Sequence, residues 1–128
     1  MAIMEYIGVY HADGGLVGEA KYVLGHLLGR THCSLCDITH SPVRRKKQWD
    51  AYVDSLGVPF RLYHLNEMPA DVAAMVATTG SPVVLARTAT DLVLMLGERQ
   101  LDRLDGSVAA FAGELASAAA PLTATGTD

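Results

Sequence analysis

The chain has 128 residues, half of them apolar and 19% charged, enough to build one packed core and too little charge for a disordered chain. Ten Lys and Arg stand against 14 Asp and Glu, a net charge of −4 that disfavours an overall nucleic-acid binder. No apolar run approaches the roughly 20 residues of a membrane span. The first residues, Met1 to Glu5, lack the basic region and long apolar stretch of a secretory signal. These features predict a cytoplasmic protein without a membrane partner. They also predict one domain over residues 1–118, followed by a flexible tail of small and polar residues, 119–128.

Residues 3–10 read as a strand, stopped by the tight turn His11-Ala12-Asp13-Gly14-Gly15. The period then changes. Leu16, Ala20, Val23, Leu24, Leu27 and Leu28 share one face of a helix that Gly29 ends. A polar segment, 30–41, carries two of the five histidines, His32 and His40, and both cysteines. Ser41-Pro42 reads as an N-cap and first-turn proline for a helix over 42–56, with Trp49, Tyr52, Val53 and Leu56 as its apolar stripe. A strand over 60–65 follows, then a short helix from Pro69 to Thr78 with Val72, Met75 and Val76. Val83 to Ala86 and residues 91–96 read as two strands joined by a polar turn at Arg87 to Thr90. A last helix over 98–118 places Leu101, Leu104, Val108, Phe111 and Leu115 at helical spacing, with Gly106-Ser107 as the point of a kink or restart. The order gives an α/β sheet with a parallel βαβ half followed by a hairpin half.

That succession, with Gly80-Ser81-Pro82 opening the third strand, resembles the thioredoxin-like fold over most of residues 3–118. The resemblance implies a central mixed four-stranded sheet flanked by helices. It also implies a cis Ser81–Pro82 bond that faces active-site cysteines and holds substrate. The turn Tyr10 to Val17 is similar to the strand-to-helix turn of the DCC-type thiol–disulfide oxidoreductases, which carry a C-x-x-C where this chain has Gly14 and Val17. The catalytic cysteines of that family have no counterpart there, so only its fold carries over.

The chain's own C-x-x-C is displaced into His32-Cys33-Ser34-Leu35-Cys36-Asp37-Ile38-Thr39-His40. Whether it reaches the end of the sheet where Pro82 sits depends on the path of residues 30–41. Twelve extended residues cover roughly 40 Å, enough to climb back beside His11, Asp13 and Pro82; a tight turn would leave the cysteines at the opposite end. Thiolate and imidazole are the preferred ligands of zinc, and this spacing lets two sulfurs share one ion. Cys33, Cys36 and His40 supply the first ligands, His11 or His32 a further one, and Asp37 can orient a histidine. Zinc leads by ligand type, with copper or iron as the other metals these donors take. An open coordination position would let the metal activate water or a substrate thiol, with Asp13 or Asp37 as base.

Thiol redox is the competing use: Cys33 attacks, Cys36 resolves, and Ser81-Pro82 holds the substrate chain. His32 and His40 favour the thiolate. Asp37 opposes it, and the strong helix start at Ser41-Pro42 lies five residues beyond Cys36. The bland alternative is two partly buried thiols beside solvated histidines. A third reading is a module that binds an anion or a protein through Arg44-Arg45-Lys46-Lys47, although a solvated helix face explains that run more simply. His11 and Asp13 with Gly14-Gly15 offer a weak anion site, and a structural turn accounts for them better. His64, beside Phe60 and Leu62, reads as a hydrogen-bonded structural histidine, and His26 as a surface one. Expected partners are a small-molecule or thiol substrate.

Overall fold

Side-chain alternation along the first strand sets the layering. In β1 (Glu5–Val9), Tyr6 points to one apolar layer, and Ile7 and Val9 point to the other. The structure, a computed structural model, describes residues 3–10, 34–39 and 47–126. The helix predicted over 16–28 and the turn at 11–15 lie outside them. After β1 the described elements are α1 (Ser34–Thr39), α2 (Lys47–Ser55), β2 (Phe60–Tyr63), α3 (Ala70–Thr79), β3 (Val83–Arg87) and β4 (Leu92–Leu96), then α4 (Glu98–Asp102) and α5 (Val108–Gly126).

The strands form one mixed sheet in the order β2-β1-β3-β4. β1 pairs parallel with β2 in the register Val9 to Tyr63, and antiparallel with β3 in the register Val9 to Val83. β3 and β4 form the antiparallel hairpin expected from their polar turn. Thr88 closes that turn: its N–H donates to the Asp91 carbonyl at 2.9 Å, and its buried hydroxyl oxygen accepts from the Asp91 N–H at 3.1 Å. The chain is thus an α/β protein with a four-stranded mixed sheet flanked by helices.

One sheet face, bearing Tyr6, Val84 and Ala86, is covered by α1, α2, α4 and α5. Val72 and Val76 of α3 cover Ile7, Val9, Val83 and Leu85 on the other. β4 departs from simple alternation. Leu85 pairs with Leu94 but Val84 with Leu96, so Met95 is an extra residue in the ladder. This bulge lets Met95 and Leu96, neighbours in sequence, both enter the same core. Leu94 is left 45% exposed on the opposite face.

Trp49 anchors the larger core. Its ring meets Phe60 at 5.0 Å and Phe111 at 5.2 Å, both edge to face, and Tyr52 meets Phe111 in the same way at 5.9 Å. Aromatic rings prefer this geometry because a positive edge then meets a negative face. Leu101, Leu104, Val108, Phe111 and Leu115 are all buried, as their spacing predicts.

The single helix expected over 98–118 is two helices. Asp105 (φ 51°) and Gly106 (φ 74°) adopt left-handed backbone between them, and Ser107 Oγ then accepts the Ala110 N–H at 3.1 Å to start α5. α5 runs on to Gly126 through Pro121, instead of stopping near 118, and Ala119 is buried in its course. α1 falls in the segment 30–41, which the sequence marks only as polar; residues 34–39 are helical, and the completely buried Leu35 and Ile38, three residues apart, pack them into the core on this face of the sheet.

Candidate functional site at the carboxyl end of the sheet

Registers bring the ends of three strands and the start of a fourth to one place. β1, β2 and β4 finish at the end where β3 begins, so Tyr10, His64, Pro82 and the start of α4 lie at the same edge of the sheet. In open α/β sheets the carboxyl ends of strands are where ligands bind. The Ser81–Pro82 bond is cis, and Pro82 is buried.

α1 belongs to this end. The Tyr10 phenol and the Thr39 hydroxyl share a buried hydrogen bond of 2.8 Å, joining the residue after β1 to the last residue of α1. α1 also packs against α4, the helix that follows β4. Gly8 makes the approach possible. A Cβ there would lie 2.8 Å from Leu62 Cδ2 and 3.1 Å from both Leu35 Cδ2 and Phe60 Cε1. Of the two paths open to the cysteine segment, the backbone of residues 34–39 follows the one that returns to the Pro82 end.

Cys36 and Asp37 fall within α1. Cys33, His32, His40, His11 and Asp13 lie outside the described residues, as do Arg44, Arg45 and Lys46; Lys47, the last of the basic run, is exposed and lies in α2. Among the described residues there is no group of three or more His, Cys, Asp or Glu that could hold a metal ion.

His64 is the histidine that the described residues do bring to this end. Its Nδ1 lies 2.6 Å from Glu67 Oε1, which also accepts the His64 backbone N–H at 3.1 Å, and its ring centroid is 5.0 Å from that of Tyr10. The side-chain hydrogen bond from His64, followed by the backbone one, holds the Glu67 carboxyl below the usual range. An ionised carboxylate only accepts hydrogen bonds, so Nδ1 carries the proton and Nε2 is the atom with a free lone pair. The hydrogen-bonded histidine expected from the sequence is present. Its ring contact with Tyr10 was not expected, since the spacing of 60–64 carries no information about a residue at the end of the first strand.

At the other end of the sheet, an open hollow of about 700 Å³ lies between α3 and the β3–β4 turn, lined among others by Met4, Met75, Asp71 and Arg87. Its charges are spent on one another. Glu5 accepts from Arg61 Nε at 2.6 Å and from Arg87 Nε at 2.7 Å, and Arg87 Nη1 donates to Asp71 at 2.7 Å. Burial pushes the Glu5 carboxyl up, but the two guanidinium groups outweigh it and hold it below the ordinary value. This network is a structural clamp across β2, β1, β3 and α3. Among the described residues no helix is long and apolar enough to cross a membrane. Compared with family models, with curated proteins and with solved structures, the chain matches none.

Proposed function

We propose that this is a thioredoxin-like domain that binds a metal, zinc by ligand type, through the segment His32 to His40. Cys33, Cys36 and His40 are its ligands, with His11 or His32 completing the set. The observation that carries the reading is the docking of α1 at the carboxyl end of β1, through Tyr10 and Thr39. That docking sets the helix containing Cys36 beside the end of β1, which supports a ligand set drawn from both segments. The parallel pair β1–β2 followed by the β3–β4 hairpin supports the fold part of the proposal. The metal would supply Lewis acidity toward water or a thiol substrate, and Asp13 or Asp37 would take the proton. Zinc affinity measured against a chelator tests the site: Cys36→Ala abolishes binding and His40→Ala weakens it. Unchanged affinity in Cys36→Ala would remove the proposal.

A second reading has a specific observation in its favour. α1, which contains Cys36, docks at the end of the sheet where Pro82 leads into β3, the place where a thioredoxin-like domain would hold a substrate disulfide. In this reading Cys33 thiolate attacks a substrate disulfide and expels one thiol. Cys36 thiolate then attacks the Cys33 sulfur, which frees the second thiol and leaves a Cys33–Cys36 disulfide, two electrons having passed to the substrate. Cys33→Ser would abolish disulfide reduction while His40→Ala would leave it nearly intact, the reverse of what the metal site expects for His40.

A further inference from the structure

We propose that the free edge of β4 pairs antiparallel with β4 of a second copy of this chain, joining two four-stranded sheets into one. β4 is the outer strand of the order β2-β1-β3-β4, so among the described residues one side of it has no neighbouring strand. The hairpin register shows which groups that side presents. The Thr88 N–H donates to the Asp91 carbonyl, and antiparallel ladders alternate bonded with unbonded pairs. Arg87–Leu92 and Leu85–Leu94 are therefore the unbonded pairs, and the N–H and C=O groups of Leu92 and Leu94 turn away from β3. Among the described residues these groups have no hydrogen-bond partner.

Proteins guard such an edge with charges, prolines or bulges. β4 has no charge and no proline: its sequence is Leu92-Val93-Leu94-Met95-Leu96, and Leu94 is 45% exposed. The bulge at Met95 ends the regular edge after Leu94, and this selects the register. A twofold axis at Val93 sets Leu92 of each copy opposite Leu94 of the other, and each of these pairs then exchanges both backbone hydrogen bonds. The leucines meet on the α3 side of the sheet and the two Val93 side chains on the side of the larger core. Charge selects the occupant. A strand with a charged residue at either leucine position would bury that charge, whereas β4 brings none, and Asp91 falls opposite Met95, clear of its own copy. The contact is small beside the roughly 1,600 Å² of a standard interface, so the dimer is a weak one that forms as concentration rises.

Sedimentation of the full chain under reducing conditions, from about 1 μM to about 1 mM, tests the proposal, with amide exchange followed at both ends of that range. The mass of wild type doubles across it, and the amides of Leu92 and Leu94 exchange more slowly in the dimer. Leu94→Lys sets an ammonium group against Leu92 of the other copy and stays monomeric throughout. Leu94→Pro deletes an N–H that β3 does not use and also stays monomeric. Emission from the buried Trp49 checks that each variant is folded. Leu94→Lys alters only an exposed side chain, so it carries the test if Leu94→Pro fails to fold. A wild type that stays monomeric throughout would overturn the proposal and leave this edge to a strand of another protein. A dimer of wild-type strength in Leu94→Lys, or one that leaves exchange at Leu92 and Leu94 unchanged, would overturn it by placing the contact elsewhere.

Discussion

The phenol of Tyr10 and the hydroxyl of Thr39 meet at 2.8 Å inside the protein, across 29 residues of sequence, and this contact ties the helix containing Cys36 to the end of the first strand. Tyr10→Phe keeps the ring and deletes that hydrogen bond. The expected cost is about 1 kcal/mol of stability, measured by urea unfolding. Zinc affinity should fall as well, because α1 loses a tether beside the proposed ligands. A Tyr10→Phe protein with lower stability and wild-type metal affinity would separate the tether from the site.

At Gly8 a side chain of α1, Leu35, packs close against the sheet backbone. In Gly8→Ala the new methyl group meets Leu62, Leu35 and Phe60 side chains at 2.8–3.1 Å. The leucine ends can shift a little, but each stands in a packed core, so overpacking of about 1–3 kcal/mol is expected. Part of it is offset by the smaller entropy loss of alanine, about 0.5–1 kcal/mol. A net loss in thermal or denaturant stability checks this, and a stabilised Gly8→Ala protein would contradict the tight approach of α1.

Phe111 joins α5 to Trp49 and Tyr52 of α2 and is fully buried. Phe111→Ala should cost about 3–5 kcal/mol, and Phe111→Leu much less. Trp49 is the only tryptophan and is 1% exposed, so its emission reports the transition directly. Native protein should emit at short wavelength and move to the red on unfolding.

The clamp at the far end of the sheet gives a pH dependence whose sign follows from the charges. Glu5 and Asp71 are held below their ordinary values by Arg61 and Arg87, so the folded chain binds those protons later than the unfolded one. Their stabilisation is fully present above the ordinary carboxylate values of 4.5 and 3.8, and it is lost as pH falls through the lowered folded values. Glu5→Gln should cost about 1–3 kcal/mol near neutrality and flatten the loss of stability below pH 4.5. An acid profile unchanged in Glu5→Gln would show that other groups set it.

Long stripes made much of this fold legible. Leu101 to Leu115 repeat at helical spacing over four turns, and Val83 to Ala86 can only be a buried strand. The hairpin was marked by the polar residues around Thr88. α1 was hidden because Leu35 and Ile38 are too few to show a period and because its stability comes from Tyr10 and Gly8, distant in sequence. The break at Asp105 and Gly106 was signalled by the glycine, whereas the continuation of α5 past Pro121 was masked by a polar-looking tail. Of the candidate site, the C-x-x-C and its histidines stand out by residue type alone. The place of His64 against the ring of Tyr10 depends on strand register, which no local pattern encodes.

Metal content per chain of freshly purified protein, measured by elemental mass spectrometry together with a thiol count before and after chelator, bears most directly on the proposed site. Close to one zinc per chain, with Cys33 and Cys36 reacting only after chelation, is the result expected here. A metal-free protein whose two thiols react at once would contradict it, and the reduction potential of the Cys33–Cys36 pair would then decide for the dithiol reading.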